Sequence, residues 1–500
     1  MMRGAARRVF ELTQTIHRAD GMMRKYLMIG ASAFLLGAGS MALFDAAAHA
    51  TSTKPETYHM LELFGDVLTT VEGQYVTQVD NKKLIQSAID GMLTSLDPHS
   101  GYLNPDDYDD MRDQTRGQYG GLGLEVTADD GLVKVISPMD DTPAAKAGIK
   151  AGDYITAIDG QSVLGQPLDQ AVKQMRGEVG QSITLSIARE KHDPFDVKLV
   201  RETISVKSVK YHPEGDYGYL RISAFNEKTG EETADAVKAL EAKNPHMKGL
   251  VLDLRNNPGG LLDQAVAVSD VFLDGGEVVS QRGRDPQDIE RYNAHSGDML
   301  NGLPVVILIN SGTASAAEIV AGALQDRHRA QLVGLTSFGK GSVQSVIPLR
   351  GGADGALKLT TARYYTPSGR SIQKTGIEPD LEVAESKEQA ELVANRSFQF
   401  SEASFRNALN TDEGQTRRAP HAPTEAPPVN FDTKDGDYQL VRAEAVLKAG
   451  SVANLLQTQK PGSTVAVVAQ ARPEPAAAEP SGPKEPAAIK PKGAGGPSRR

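Results

Sequence analysis

Between residues 203 and 385, short and almost uninterrupted apolar runs alternate with segments of helical spacing, and no other feature limits the possible folds as tightly. The strands YLRISAF, GLVLDLR, PVVILIN and AQLVG are interleaved with the helices NEKTGEETADAVKALEAK, LLDQAVAVSDVFL and SAAEIVAGALQD. A strand that is apolar on both faces must be covered on both faces, so this stretch predicts a layered α/β core. The extended segments EVVSQRG, VQSVIPL and GALKLTTARYYT add strands to it.

The rest of the chain divides by changes of period. Residues 55–116 carry apolar residues at helical spacing, interrupted by DPHSGYLNPDD, and predict a small helical region. From 117 to 202 the short strands GGLGLEV, GLVKVIS, DYITAID and SITLSIA, with the helix LDQAVKQMRG between the last two, predict a β-rich module. The core is assigned to 203–385. Residues 386–433 read as a linker, 434–460 as a C-terminal helix, and 461–500, rich in Pro, Ala, Lys and Gly, as a disordered tail.

Residues 1–50 have a basic start, the apolar stretch YLMIGASAFLLGAGSMALF and a closing AAAHA, the order of parts in a secretory leader. Cleavage after Ala50 would release the chain into a bacterial periplasm. An uncleaved anchor in the inner membrane, facing the periplasm, is the competing reading. There is no Cys, so neither a disulfide framework nor a lipid attachment site exists. A formal charge of −10 and a pI near 5.6 provide no basic footprint, and a nucleic-acid partner is not expected.

SGTASAAEIV follows the strand PVVILIN and presents Ser315 where a strand turns into a helix. A serine nucleophile needs a base and amide donors for the oxyanion. No histidine lies in a Gly-rich loop at the end of a core strand, whereas Lys340 in TSFGKGSVQ sits between Gly339 and Gly341 in a segment able to fold tightly over another backbone. Burial would have to lower its pKa, and Gln344 is placed to accept its hydrogen bond. NNPGG closes the strand GLVLDLR, so Gly259 and Gly260, with Ala316 at the helix start, are the candidate oxyanion donors. Plainer readings stand beside these. Ser315 and Glu318 also spell a capping box. GLTSFGK matches most of a phosphate loop, but Gly341 stands where a hydroxyl is required. NNPGG, like the Gly-rich GGLGLE at the start of the β module, also reads as a simple turn.

GLGLEV, PAAKAGIKAGDYITAIDG and LDQAVKQMRG together resemble a PDZ domain. The resemblance implies capture of a protein C-terminus by strand addition, its carboxylate on the amides of Leu122, Gly123 and Leu124. SGTASAAEIVAGALQD, TSFGKGSVQ, LVLDLRNNPGGLL, YYTPSGRSIQKTGIEPD and LDPHSGYL then resemble the carboxyl-terminal processing, or tail-specific, proteases. This implies an α/β chain with a PDZ-like β module, a crotonase/Clp-type ββα protease core and an N-terminal helical region. It implies Ser315 as nucleophile, Lys340 as general base, Gln344 as its orienting residue, and an oxyanion hole at Ala316 and the NPGG loop. No metal, nucleotide or other cofactor is implied. Protein substrates bound by their C-termini, gating by the PDZ module, a homodimer or higher oligomer formed through the N-terminal helices, and a lipoprotein adaptor are the partnerships implied. Thr313 and Ala317 stand where the family also uses serine. The alternative is a catalytically inactive scaffold whose PDZ module binds exported protein tails.

Overall fold

The computed structural model describes residues 55–285, 287–394, 401–411, 419, 421–428, 431 and 436–458. The leader expected over 1–50 and the tail expected over 461–500 lie outside them. The chain divides into two units, Met1–Gly91 and Met92–Arg500.

Helix α1 (Pro55–Gln74) lies in the first unit, and α2 (Asn81–Thr94) begins in it and ends three residues past Gly91. Met60, Leu61, Leu63, Phe64 and Val67 of α1 are all exposed. No helix among the described residues is long and apolar enough to cross a membrane.

The second unit opens with β1 (Gly101–Leu103) and α3 (Pro105–Arg116). Asn104 caps α3 by accepting from Asp107 N, Pro105 occupies its first turn, and Gly117 closes it at φ 65°. The β module follows. Strands β2 (Gln118–Gly121), β3 (Leu124–Asp129) and β4 (Leu132–Pro138) lead to the short helix α4 (Pro143–Lys146). Then come β5 (Tyr154–Ile158), β6 (Gln161–Ser162), α5 (Leu168–Met175), β7 (Ser182–Ala188), β8 (Phe195–Val200) and β9 (Glu202–Ser205). Strand order β3-β4-β5-β7-β8 leaves β3 at an edge, while β2 and β9 pair where the chain enters and leaves the module. Alternation along β7 buries Ile183, Leu185 and Ile187 with Ala171 and Met175 of α5 in the module's own core.

The core contains β10 (Val209–Glu214), β11 (Tyr217–Ile222), α6 (Thr229–Lys243), β12 (Leu250–Asp253) and α7 (Leu262–Phe272). It continues with β13 (Gly276–Arg282), β14 (Ile289–Ala294), β15 (Val305–Ile309), α8 (Ala316–Asp326) and β16 (Ala330–Gly334). Strands β17 (Ser342–Pro348), β18 (Ala356–Tyr365) and β19 (Leu381–Glu382) complete it. The main sheet runs β10-β11-β12-β15-β16-β19 and is parallel from β11 onward. A second sheet joins β1, β18, β13 and β14, with β17 paired to β18. The continuous apolar strands have the physical cause expected of them. Leu250, Leu252, Val305, Ile307 and Ile309 pack toward α6, α7 and α8, whereas Val251, Val306 and Leu308 face the other way.

That second face is covered by residues past 385. Helix α9 spans Lys387–Ala394, and helices α10 (Tyr438–Ala449) and α11 (Val452–Thr458) cover the face, with Ala443, Val446, Leu447, Val452 and Leu455 joining the apolar cluster against the sheet. The segment read as a linker thus begins with a helix, and the single helix expected over 434–460 is two, divided at Gly450 with φ 79°. Buried Asp253 accepts from Arg255, Arg221 and Tyr219, and Arg255 also donates to Gln439 and Asp437, fastening the first turn of α10 to the end of β12.

Candidate active site

β12 and β15 are parallel neighbours, so the loops after them emerge at one edge of the sheet. The loops Asn256–Gly260 and Asn310–Ala314 are bound to each other there. Asn310 Oδ1 accepts from Asn256 N at 3.0 Å, and its Nδ2 donates to Asn256 Oδ1 at 3.0 Å. Ala314 N donates to Asn257 O. Thr313, which sequence reasoning passed over as a mild departure, holds the turn: its hydroxyl donates to Leu254 O at 2.8 Å and accepts from Asn310 N at 3.0 Å.

The support matters because Ser315 is strained. It stands at the N-terminus of α8 with φ 55° and ψ −117°, a region disfavoured for a residue with Cβ by about 1–3 kcal/mol. An ordinary N-cap is extended. Glu318 makes its half of the capping box, Oε2 accepting from Ser315 N at 2.8 Å. The same carboxylate does far more than cap. It accepts from Lys340 N at 2.9 Å, Gly339 N at 2.7 Å and Ser337 Oγ at 2.5 Å. The nucleophile candidate and the base candidate therefore have their backbones fixed to one buried side chain. Burial pushes the Glu318 carboxyl up to about 7 against the pull of those four donors. It also follows that the loop amides a phosphate would need are already donated to a carboxylate.

Lys340 is partly buried and lines a cavity of about 550 Å³ together with Ser315, Ser342, Gln344, Lys358 and Tyr364. Desolvation, helped by the positive charge of Lys358, brings its pKa down to about 8, while Glu402, Glu318 and Asp97 pull the other way. Among the described residues no histidine lines the cavity. Gln344 lies on β17, where its Nε2 donates to Ser342 Oγ at 2.8 Å and Thr360 Oγ1 at 3.3 Å, leaving its carbonyl oxygen as the end able to accept.

Gly259 and Gly260 line the cavity beside Ser315. Gly259 has φ 96°, and a Cβ there would come within 2.8 Å of Ser315 Cβ and 2.9 Å of Ala316 N. The NPGG backbone thus lies directly against the nucleophile loop, and only glycine fits. Gly259 N, however, donates to Asn257 Oδ1 at 2.9 Å, so this amide differs from the expectation of an uncommitted donor. Gly260 and Ala316 are the pair on which the oxyanion reading rests.

Residues outside the expected set tie the base loop to the segments around it. Gly341 N donates to Gln373 Oε1 at 3.0 Å, and Gln373 Nε2 donates to buried Glu402 at 2.9 Å. Glu402 also meets His99 Nε2 at 2.7 Å. Asp97 Oδ2 accepts from Ser100 Oγ at 2.7 Å, and Ser100 Oγ accepts from Thr360 N at 3.1 Å. The motif LDPHSGYL thus reaches the base loop from outside the core sheet.

In the β module, Leu122, Gly123 and Leu124 line a groove of about 170 Å³ with Val126, Val172, Met175 and Arg176. Their carbonyls are occupied: Leu122 O accepts from Ala144 N and Gly123 O from Met139 N. Gly123 has φ 74° and lies against Thr142, where a Cβ would approach to 2.3 Å. An edge strand, a helix and a Gly turn at the groove's end are the parts that strand addition requires. Tyr119 and Arg176 line both this groove and the cavity at Ser315.

Comparison with known proteins agrees in order along the chain. The family model for Peptidase family S41 matches residues 216–383, a PDZ domain model matches 134–189, and the N-terminal domain of the activating protease CtpB matches 27–107. The carboxy-terminal-processing protease of Bartonella bacilliformis is 54% identical over 365 residues, covering 72% of this chain and 83% of that protein. A probable CtpA-like serine protease of Staphylococcus epidermidis is 39% identical over 328 residues, 65% of each chain. Among solved structures, the Photosystem II D1 C-terminal processing protease is 31% identical, covering 66% of this chain and 93% of that one, with a TM-score of 0.39.

Proposed function

The chain belongs to the carboxy-terminal-processing proteases of peptidase family S41, and from that premise we propose that it is an exported endopeptidase which holds protein C-termini in its PDZ module and cleaves with a Ser315–Lys340 dyad. The observation that carries the dyad is the shared cavity, in which a lysine brought down to about 8 accompanies a serine whose backbone is fixed to the same carboxylate. The neutral Lys340 amine takes the Ser315 hydroxyl proton as Oγ bonds to the peptide carbonyl carbon. The amides of Ala316 and Gly260 receive the oxyanion. When the C–N bond breaks, Lys340 returns the proton to the leaving amine. Water, deprotonated by the same amine, then releases the acyl group and regenerates Ser315. Gln344 presents its carbonyl oxygen to Lys340 and keeps the amine in line. A fluorophosphonate probe should label the wild-type chain and fail to label Ser315→Ala. A chain that binds tails but is never labelled would be an inactive scaffold.

The free edge of β3 and the groove at Leu122, Gly123 and Leu124 support recognition of a terminal carboxylate. Peptides ending in a free acid should bind at least about tenfold more tightly than the same peptides amidated, measured by fluorescence anisotropy on Ser315→Ala enzyme, since a charged hydrogen bond contributes about 1.5–3 kcal/mol. Equal affinities would remove the PDZ reading. The residues shared by groove and cavity, Tyr119 and Arg176, support gating of the site by tail binding. Export to the periplasm rests on the composition of residues 1–50, and pairing through the N-terminal helices on the exposed apolar side chains of α1. Delivery by a lipoprotein adaptor rests on family resemblance.

A further inference from the structure

We propose that Lys358 is a specificity-determining residue that receives an acidic side chain of the substrate, two to four residues from the bond that is cut. This rests on the protease reading above. Strand alternation turns Ser342, Gln344 and Val346 of β17 toward the cavity, and antiparallel pairing sets Thr360 opposite Gln344 and Lys358 opposite Val346. Lys358 is therefore one same-face step, about 7 Å, beyond the Gln344–Thr360 pair along the cleft. A bound peptide advances about 3.3 Å per residue, which sets the distance in the sequence of the substrate.

The ammonium lacks a counter-charge. Among the described residues no hydrogen bond or ion pair to Lys358 is found, and the one carboxylate lining the cavity, Asp113 on α3, does not reach it. Of the other cations in the cavity, Arg176 lies over the Tyr119 ring at 4.6 Å and within 3.9 Å of Asp110, and Lys340 is the proposed base. Lys358 thus supplies a fixed charge in a cleft with apolar walls at Phe225, Leu261, Val346 and Tyr364. Such a setting favours a carboxylate partner over water. The terminal carboxylate of a substrate has its own receptor in the PDZ groove, so the carboxylate taken here belongs to a Glu or Asp side chain.

The test uses the full chain and peptides with one constant C-terminal sequence, in which each of the four residues on either side of the cleaved bond is in turn Glu or Gln. Wild-type enzyme should show a Glu-over-Gln ratio of kcat/KM of about fivefold at one of the positions two to four residues away. Lys358→Met should bring that ratio to one, Lys358→Arg should keep it, and Lys358→Glu should invert it. The ratio cancels any general effect of the variant on the base. The same peptide pairs, titrated by anisotropy against Ser315→Ala enzyme with and without Lys358→Met, read the subsite without chemistry, so a failure of the protease reading would leave this result standing. A ratio of one at every position in wild-type enzyme, or a preference that survives Lys358→Met, overturns the proposal.

Discussion

Replacement of Lys340 by methionine should lower kcat/KM for peptide cleavage on the order of 10⁴-fold, the upper end of what a general base contributes. Methionine keeps the length and apolar stem of the side chain, so the loop held by Glu318 through Gly339 N and Lys340 N should remain in place. Ser315→Ala should fall to a similar rate, because a nucleophile and its base act as a unit and their losses do not add. The pH profile separates a base from a merely structural lysine. The free enzyme needs the amine neutral, and burial has brought Lys340 to about 8. Hence kcat/KM should rise about tenfold per pH unit below that value and level off above it. The residual activity of Lys340→Met should lack that limb. A loss smaller than tenfold, or a limb that survives the substitution, would remove Lys340 from the chemistry.

The parts of this site that were legible in the sequence are those whose signal is local. Ser315 follows a strand and opens a helix, Lys340 is flanked by glycines, and NNPGG ends a core strand. Each position shows what the backbone must do, and parallel strands bring the loops to one edge. What remained hidden is long-range side-chain pairing. Glu318 was visible only as a capping partner of Ser315, since nothing local tells a capping carboxylate from one that also receives the amides of Gly339 and Lys340. Gln373, Glu402 and Asp97 converge on Lys340 from three separate segments, and although two of these carry family motifs, nothing local in them points to the base. Helices α10 and α11 showed no motif because their task is apolar covering of a sheet face, which many sequences satisfy. Thr313 was undervalued for a related reason: a hydroxyl that bridges Leu254 O and Asn310 N is indistinguishable in sequence from one that faces water.

Glu318→Gln should reduce kcat about 100-fold with little change in KM, the cost of misplacing a reacting group by roughly 1 Å. Both carboxylate oxygens are filled, Oε2 by Ser315 N and Lys340 N, Oε1 by Gly339 N and Ser337 Oγ. A glutamine must turn its NH₂ toward one of these pairs, leaving two buried donors facing a third, at about 1–3 kcal/mol for each donor left unsatisfied. Ser315 then loses support for its positive φ, or Lys340 loses the anchor of its loop. A general loss of structure would give the same fall in rate, but the electrostatics differ. The Glu318 charge raises the pKa of Lys340, so its removal should move the acid limb of kcat/KM to lower pH while kcat falls. Stability carries a second sign. Burial raises the folded-state pKa of Glu318 to about 7 from an ordinary 4.5, so its ionised form is the costlier one in the folded protein. That contribution is complete below about 4.5 and is lost as pH rises through 7, and Glu318→Gln should flatten this part of the wild-type stability curve. An acid limb that stays in place, or moves upward, would show that Glu318 braces the loops without acting on the charge of Lys340.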